Sequence, residues 1–221
     1  MGSTGPGSVE LLWSSRRGRM SGGYQPDPAR FGAPDPAGSG RCLPSCYDAA
    51  VSDPILTGER VILRPAREDD IDRVRAILLE PSVARWWGPT DPATVAEEWL
   101  EVEQDDGVFV IELAGAVVGS IQYSEETDPD YRHAGVDLFL TTSAQGQGVG
   151  PDAIRTVARF LIDVRGHHRL TIDPSAANER AIHVYSKLGF RPIGIQRLYE
   201  RGPDGTFHDG LLMDLLAHEL R

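Results

Sequence analysis

Two short stretches combine residue types that could bind a phosphate group and accept a proton. Gln145-Gly146-Gln147-Gly148-Val149-Gly150-Pro151 lies between an apolar strand and an amphipathic helical stripe. Its three glycines let the backbone approach a ligand closely and turn successive N–H groups outward, and the following helix start adds a positive dipole end. A pyrophosphate fits such a place. No Gly-Lys-Ser/Thr ending follows, which argues against a nucleotide P-loop. The second stretch is Val136-Asp137-Leu138-Phe139-Leu140, where a lone carboxylate interrupts an apolar strand. Burying it alone is costly, so Asp137 must meet water or a partner. A nearby carboxylate can take the proton that an amine sheds before attacking a carbonyl. A water-facing Asp on an edge strand is the plain alternative.

The elements that must position these residues can be read from hydrophobic period. Val61 to Leu63 reads as a strand ending at Pro65, followed by a helix bearing Ile71, Val74, Ile77 and Leu78 at helical spacing. Asp91 can cap, and Pro92 can open, a second helix whose apolar face is Val95, Trp99 and Leu100. Val108–Leu113 and Ala116–Ser124 form a hairpin around Gly115, and Ala134–Thr141 is a further strand. A helix from Pro151 carries Ile154, Val157, Ala158 and Leu161, and Gly166 can end it. Leu170–Ile172 is a short strand. Ala181, Ile182, Tyr185 and Leu188 mark a helix closed by Gly189, and strands 190–200 and 207–216 flank the turn Pro203-Asp204-Gly205. The order β-α-α-β-β-β-α-β-α-β-β predicts an α/β (α+β mixed) fold with a mixed sheet between helices.

Residues 1–52 are rich in Gly, Pro, Ser and Arg, lack an apolar period, and are expected to be a disordered extension before a domain at 53–221. Net charge is −11 over 221 residues. The extension has five Arg against four acids, so the domain carries the acidity: 17 basic against 29 acidic residues. Such a body disfavours nucleic acid and anionic membrane and attracts cations. Cys42 and Cys46 are too few for a disulfide framework, and His133, His167, His168, His183 and His208 lack metal spacing, so no metal is assigned. No apolar run reaches the ~20 residues of a membrane span. A cytoplasmic protein is expected, monomeric or homodimeric.

Gln-x-x-Gly-x-Gly before a long helix resembles the acyl-CoA loop of the GNAT acetyltransferases. Asn178-Glu179-Arg180-Ala181-Ile182-His183-Val184-Tyr185-Ser186-Lys187-Leu188-Gly189-Phe190 is similar to that superfamily's Asn-x-x-Ala-x-x-x-Tyr-x-x-x-Gly-Phe stretch. Trp86-Trp87-Gly88, Glu125-Glu126-Thr127-Asp128-Pro129, Gly135-Val136-Asp137 and Asp173-Pro174-Ser175 further resemble aminoglycoside 6′-N-acetyltransferases. The resemblance spans residues 56–216 and implies the GNAT fold, a mostly antiparallel twisted sheet flanked by helices. It implies acetyl-CoA as acetyl donor, held by Leu138, Phe139, Leu140, Gln145, Gly146, Gln147, Gly148, Val149, Gly150 and Asn178. It implies that Asp137 helps activate an amine and that Tyr185 protonates the departing thiolate; a core tyrosine is the alternative for the latter. Trp86, Trp87, Glu126, Asp128 and Asp173 are implied to hold a polycationic acceptor, such as the 6′-amine end of an aminoglycoside. A siderophore-type lysine derivative, a protein N-terminus, or a non-enzymatic acyl-CoA sensor remain alternatives.

Overall fold

A computed structural model describes residues 54–87, 95, 99–100 and 106–221. The extension expected at 1–52 and the capping pair Asp91–Pro92 lie outside the described residues. The strands are β1 (Leu56–Thr57), β2 (Val61–Pro65), β3 (Asp106–Leu113), β4 (Ala116–Glu126), β5 (His133–Leu140), β6 (Arg169–Ile172), β7 (Arg191–Arg201) and β8 (Phe207–Leu216). The helices are α1 (Ile71–Leu78), α2 (Pro81–Trp87), α3 (Val149–Arg159) and α4 (Glu179–Leu188). The strands make one sheet in the order β1-β2-β3-β4-β5-β6-β8-β7, antiparallel throughout except for β5 with β6.

Both faces of the sheet are covered, so the central strands send successive apolar residues to opposite cores. Phe109 and Ile111 join Ile121, Tyr123, Val136, Val149, Ile154, Val157, Tyr185 and Leu188 under α3 and α4. Val108 and Val110 join Val74, Ile77, Val83, Val95, Trp99 and Phe139 on the other face. Thus Asp137 and Phe139, two residues apart on β5, belong to the α1–α2 face, and Val136 belongs to the α3–α4 face.

The expected elements form, with differences that have local causes. Trp86 and Trp87 end helix α2, which the sequence pattern did not announce. Pro81 fits the first helical position, and the N–H groups of Val83 and Ala84 donate to the Glu80 carbonyl. Helix α3 starts two residues before Pro151 and runs on through a π turn over Phe160–Val164. Val95 and Trp99 are helical and buried as expected, but Leu100 is exposed. β1, too short for a periodic signal, is held by pairing to β2. His167 is buried. Its Nε2 lies 2.5 Å from Glu125 Oε2, and Glu125 Oε1 accepts from Arg165 Nε at 2.9 Å. The acidic stretch at 125–130 is therefore split, since Glu125, the next-to-last residue of β4, sits inside an ion pair with its carboxylate only 3% exposed.

Candidate active site

The site begins where one strand pairing stops. β5 and β6 are joined at Ala134–Leu170 and Gly135–Thr171 and then part. Beyond that point β5 keeps β4 on one side, while β6 stays with β8. The Thr141 N–H donates to the Val118 carbonyl at 2.8 Å. By the two-residue period, the amides of Leu138 and Leu140 point the other way, into the opening. There Leu138 N–H donates to the Asp137 carboxylate at 2.9 Å, and the Leu140 carbonyl accepts from Gln145 Nε2 at 2.9 Å.

The turn at 145–150 closes one end of the opening. Gly146 and Gly148 have φ of 79° and 82°, a left-handed conformation in which any side chain is strained. The amides of Gly146, Gln147, Gly148, Val149 and Gly150 have no backbone acceptor among the described residues; the first intrahelical bond is Asp152 N–H to the Gly148 carbonyl, 3.2 Å. Val149 is wholly buried and anchors the turn. Gln147 Nε2 donates to the Ser143 carbonyl at 2.5 Å, while the Gln147 carbonyl accepts from Arg60. Behind the turn, the buried Asp152 carboxylate accepts three main-chain N–H groups, from Glu59 (3.1 Å), Arg60 (2.8 Å) and Val61 (3.1 Å). The helix start is thereby tied to the beginning of β2.

Helix α4 forms the facing wall. Asn178 Oδ1 caps it by accepting from Ala181 N–H at 3.2 Å, a cap worth about 1 kcal/mol. One helical turn on, Tyr185 is 7% exposed. Burial first, and then the Asp137 and Asp173 carboxylates, push its phenol well above the ordinary range, so it remains an O–H donor. Those two carboxylates stand on opposite sides of the parted strands: Asp137 on β5, Asp173 directly after β6. Helix α2 supplies a third wall. Glu80, at its start, accepts from Thr141 Oγ1 (2.5 Å) and Thr142 N (2.6 Å), which fixes α2 to the end of β5. The carboxyl of Glu80 sits below its usual range: burial raises it, but the bonds from Thr141 and Thr142 and the charge of Arg73 outweigh that. Trp87 packs edge-on against Phe139 at 4.8 Å, and Arg85 lies 4.5 Å over the Trp86 ring.

These walls enclose a cavity of about 680 Å³. Of the residues singled out from sequence, Leu138, Phe139, Leu140, Gln145, Gly146, Gly148, Gly150, Asn178 and Tyr185 line it, as do Trp86 and Trp87. Gln147 and Val149 do not, although their amides belong to the same turn. Asp137 and Asp173 flank the Tyr185 side. Glu126 and Asp128 are exposed at the opposite end of β4, where Glu126 Oε1 accepts from Asp128 N–H (3.0 Å) and Asp128 Oδ1 from Asp130 N–H (2.9 Å). The structure does not bring these two to the cavity. Sequence inspection overlooked a cationic rim of Arg85, Arg155, Arg180 and Lys187. Arg155 follows Pro151 and Ile154 on one face of α3, and Arg180 and Lys187 flank the α4 stripe, so helical spacing carried that signal. Arg180 Nη1 reaches Gln145 Oε1 at 3.2 Å.

The cavity suits a long anionic thioester. Left-handed glycines leave room for a diphosphate beside outward amides, basic side chains rim the mouth, and apolar residues line the cavity toward Tyr185. Among the described residues no helix is long and apolar enough to cross a membrane. The chain is 28% identical over 157 residues to the aminoglycoside N(6′)-acetyltransferase type 1 of Klebsiella pneumoniae, covering 62% of this chain and 77% of that protein. It is 26% identical over 165 residues to the spermidine N(1)-acetyltransferase of Escherichia coli (strain K12), covering 72% of this chain and 87% of that one. The solved structure of Mycobacterium smegmatis RimJ in complex with CoA-disulfide superposes with a TM-score of 0.69 at 24% identity, covering 77% of this chain and 90% of that one. Residues 60–191 match the acetyltransferase (GNAT) domain family, more than half of the chain. The chain therefore belongs to the GNAT acetyltransferases, enzymes that move an acetyl group from acetyl-CoA to an amine.

Proposed function

We propose that this protein acetylates a primary amine of a polycationic small molecule, with the 6′-amine of an aminoglycoside as the leading acceptor. The observation that carries this is that two carboxylates, Asp137 on β5 and Asp173 after β6, both act on the buried Tyr185 phenol where the two strands have parted. Two carboxylates beside one buried hydroxyl favour a ligand with more than one ammonium group. The net charge of −11 adds a field that draws cations toward the protein. A linear polyamine is the second reading, favoured by the greater coverage of the match to the spermidine acetyltransferase.

Acetyl-CoA supplies an acyl group already activated as a thioester. The chain's own residues supply the rest. The turn at 146–150 and the cationic rim hold the phosphates, and Asn178 fixes the start of the α4 wall. Asp137 takes the proton that the acceptor ammonium must lose before its nitrogen has a free pair. The Leu140 amide, aimed into the opening, stabilises the negative charge that develops on the carbonyl oxygen, while the Leu138 amide holds the Asp137 carboxylate. Tyr185 donates to the departing sulfur. An ammonium seated between Asp137 and Asp173 offsets two of the three causes that raise the phenol, leaving burial, so acceptor binding also readies the donor. Positioning both partners in one opening supplies much of the acceleration.

The decisive experiment measures CoA thiol release from acetyl-CoA with kanamycin-type aminoglycosides, spermidine and spermine, free lysine derivatives and peptides. Turnover on the aminoglycosides supports the leading acceptor, and turnover on polyamines alone supports the second. Turnover confined to peptides overturns both.

A further inference from the structure

The turn at 145–150 and helix α2 are anchored in different ways. The turn is tied by Gln145 to the Leu140 carbonyl, by Gln147 to the Ser143 carbonyl, by Arg60 to the Gln147 carbonyl, and by Asp152 to the start of β2. These bonds come from several elements, so no single one is decisive. Helix α2 rests on the sheet through the buried Val83 and, at its far end, through Trp87 against Phe139. Apolar contacts of this kind are non-directional and let a helix slide. Hydrogen bonds are directional and do not. Among the described residues, the bonds that join the start of α2 to the end of β5 run through Glu80 and Ser82.

The Glu80 carboxylate accepts from Thr141 Oγ1 at 2.5 Å and from both the amide and the hydroxyl of Thr142 at 2.6 Å. Bonds to an ionised acceptor are short and roughly twice as strong as neutral ones. Ser82 Oγ lies 2.6 Å from Thr142 Oγ1. A hydroxyl has one hydrogen, and that of Thr142 goes to Glu80, so Ser82 is the donor in this pair. Ser82 Oγ in turn accepts from Gln145 Nε2 at 3.4 Å. The order Gln145, Ser82, Thr142, Glu80 is therefore a directed relay that ends on a negative charge, and each bond polarises the next. It ties the first turn of α2 to the segment that leads into Gly146.

We propose that Glu80 is a positioning residue for the acceptor. It does not line the cavity, whereas Ser82, Val83, Arg85, Trp86 and Trp87 of α2 do. By clamping the start of α2 to Thr141 and Thr142, it sets the gap between the tryptophan end of that helix and β5. The proposal rests on the amine acetylation described above, with Trp86 and Trp87 on the acceptor side, and adds what holds that wall in register. Because the turn at 145–150 keeps its other anchors, weakening the clamp shifts α2 and leaves the donor side in place. A displaced wall weakens acceptor binding equally in the ground state and the transition state, so the acceptor KM rises while kcat holds.

The test is steady-state kinetics of thiol release for the full chain and for Glu80→Gln, Thr142→Val and Thr142→Ser, each with the amine that the native chain turns over best. Glu80→Gln keeps the shape but replaces one accepting oxygen with an N–H donor, which cannot bond the donating groups of Thr141 and Thr142. Its acceptor KM is expected to rise about tenfold, with kcat within about threefold and the acetyl-CoA KM within about twofold of native. Thr142→Val breaks the relay but keeps the Thr142 amide, and its acceptor KM is expected to rise about threefold. Thr142→Ser keeps the hydroxyl and is expected to stay within about twofold of native. Rescue by serine separates the hydroxyl relay from packing. An unchanged acceptor KM in Glu80→Gln overturns the proposal, as does a Thr142→Ser variant as impaired as Thr142→Val. A rise in the acetyl-CoA KM as large as that in the acceptor KM also overturns it, since the clamp then serves the donor side or the whole fold. Each of these results leaves the acetylation reading standing. Absence of turnover by the native chain on every amine overturns that reading and takes this proposal with it.

Discussion

The two ends of the β5–β6 pair use charge in opposite ways. At the paired end, Glu125 lies opposite Ala134 and is enclosed by the Arg165 guanidinium and the buried His167 ring. Donors surround that carboxylate. Burial works to raise its pKa, but the His167 and Arg165 bonds outweigh this and hold it below the ordinary glutamate value of 4.5. At the parted end, Asp137 on β5 and Asp173 after β6 both act on the buried Tyr185 phenol. One end has the donors that an ion pair needs to be structural. The other gathers acceptors around an opening, which suits a cationic ligand. Similar acidic residues in sequence thus serve cohesion or chemistry according to which partners the strands bring beside them.

The contrast can be broken at either end. The largest effect is expected from Gly148→Asp, which puts a side chain at φ 82° and a negative charge beside the proposed diphosphate. Affinity for acetyl-CoA should fall on the order of a thousandfold, read by calorimetry; normal affinity would put the coenzyme elsewhere. Next is Glu125→Ala at the paired end. Removing one member of a buried pair should lower unfolding free energy by about 3 kcal/mol in urea melts, with acetyl-CoA affinity unchanged in the folded protein. A loss of affinity without a loss of stability would erase the distinction between the ends. Third, Asp137→Asn and Tyr185→Phe should each lower kcat by roughly tenfold or more while acetyl-CoA still binds. Native turnover in both would show that the parted end does no chemistry.

The smallest effect sharpens the comparison through pH. Glu125, Asp70 and Glu80 all have folded pKa values below their ordinary ones. For a depressed carboxylate the unfolded chain binds the proton first. Its contribution is therefore fully present above the ordinary value and is lost as pH falls through the folded one. Urea midpoints should be flat near neutrality and decline below about pH 4.5. Glu125→Gln should flatten that decline, and an unaltered slope would deny the paired end its share.

Much of this architecture could be read from residue order. Apolar period located β2, α1, the β3–β4 hairpin, β5 and α4, because each buries a regular stripe. The glycines of 146–150 announced their turn because left-handed φ at Gly146 and Gly148 admits little else. α2 was missed because seven residues hold only two turns of pattern, and its start depends on a cap from Glu80. Glu126 and Asp128 resembled Asp137 in type, yet the direction of β4 carries them to the far end of the sheet.

Residue order alone determined the strands, the helices, the phosphate-type turn and the presence of a carboxylate in an apolar strand, because these follow from local period and conformational preference. Tertiary structure decided which charges work together. The parting of β5 from β6, the enclosure of Glu125 by Arg165 and His167, and the gathering of Arg85, Arg155 and Arg180 on one rim join residues 25 or more positions apart. Such pairings are set by strand register and helix packing, and no local spacing encodes them.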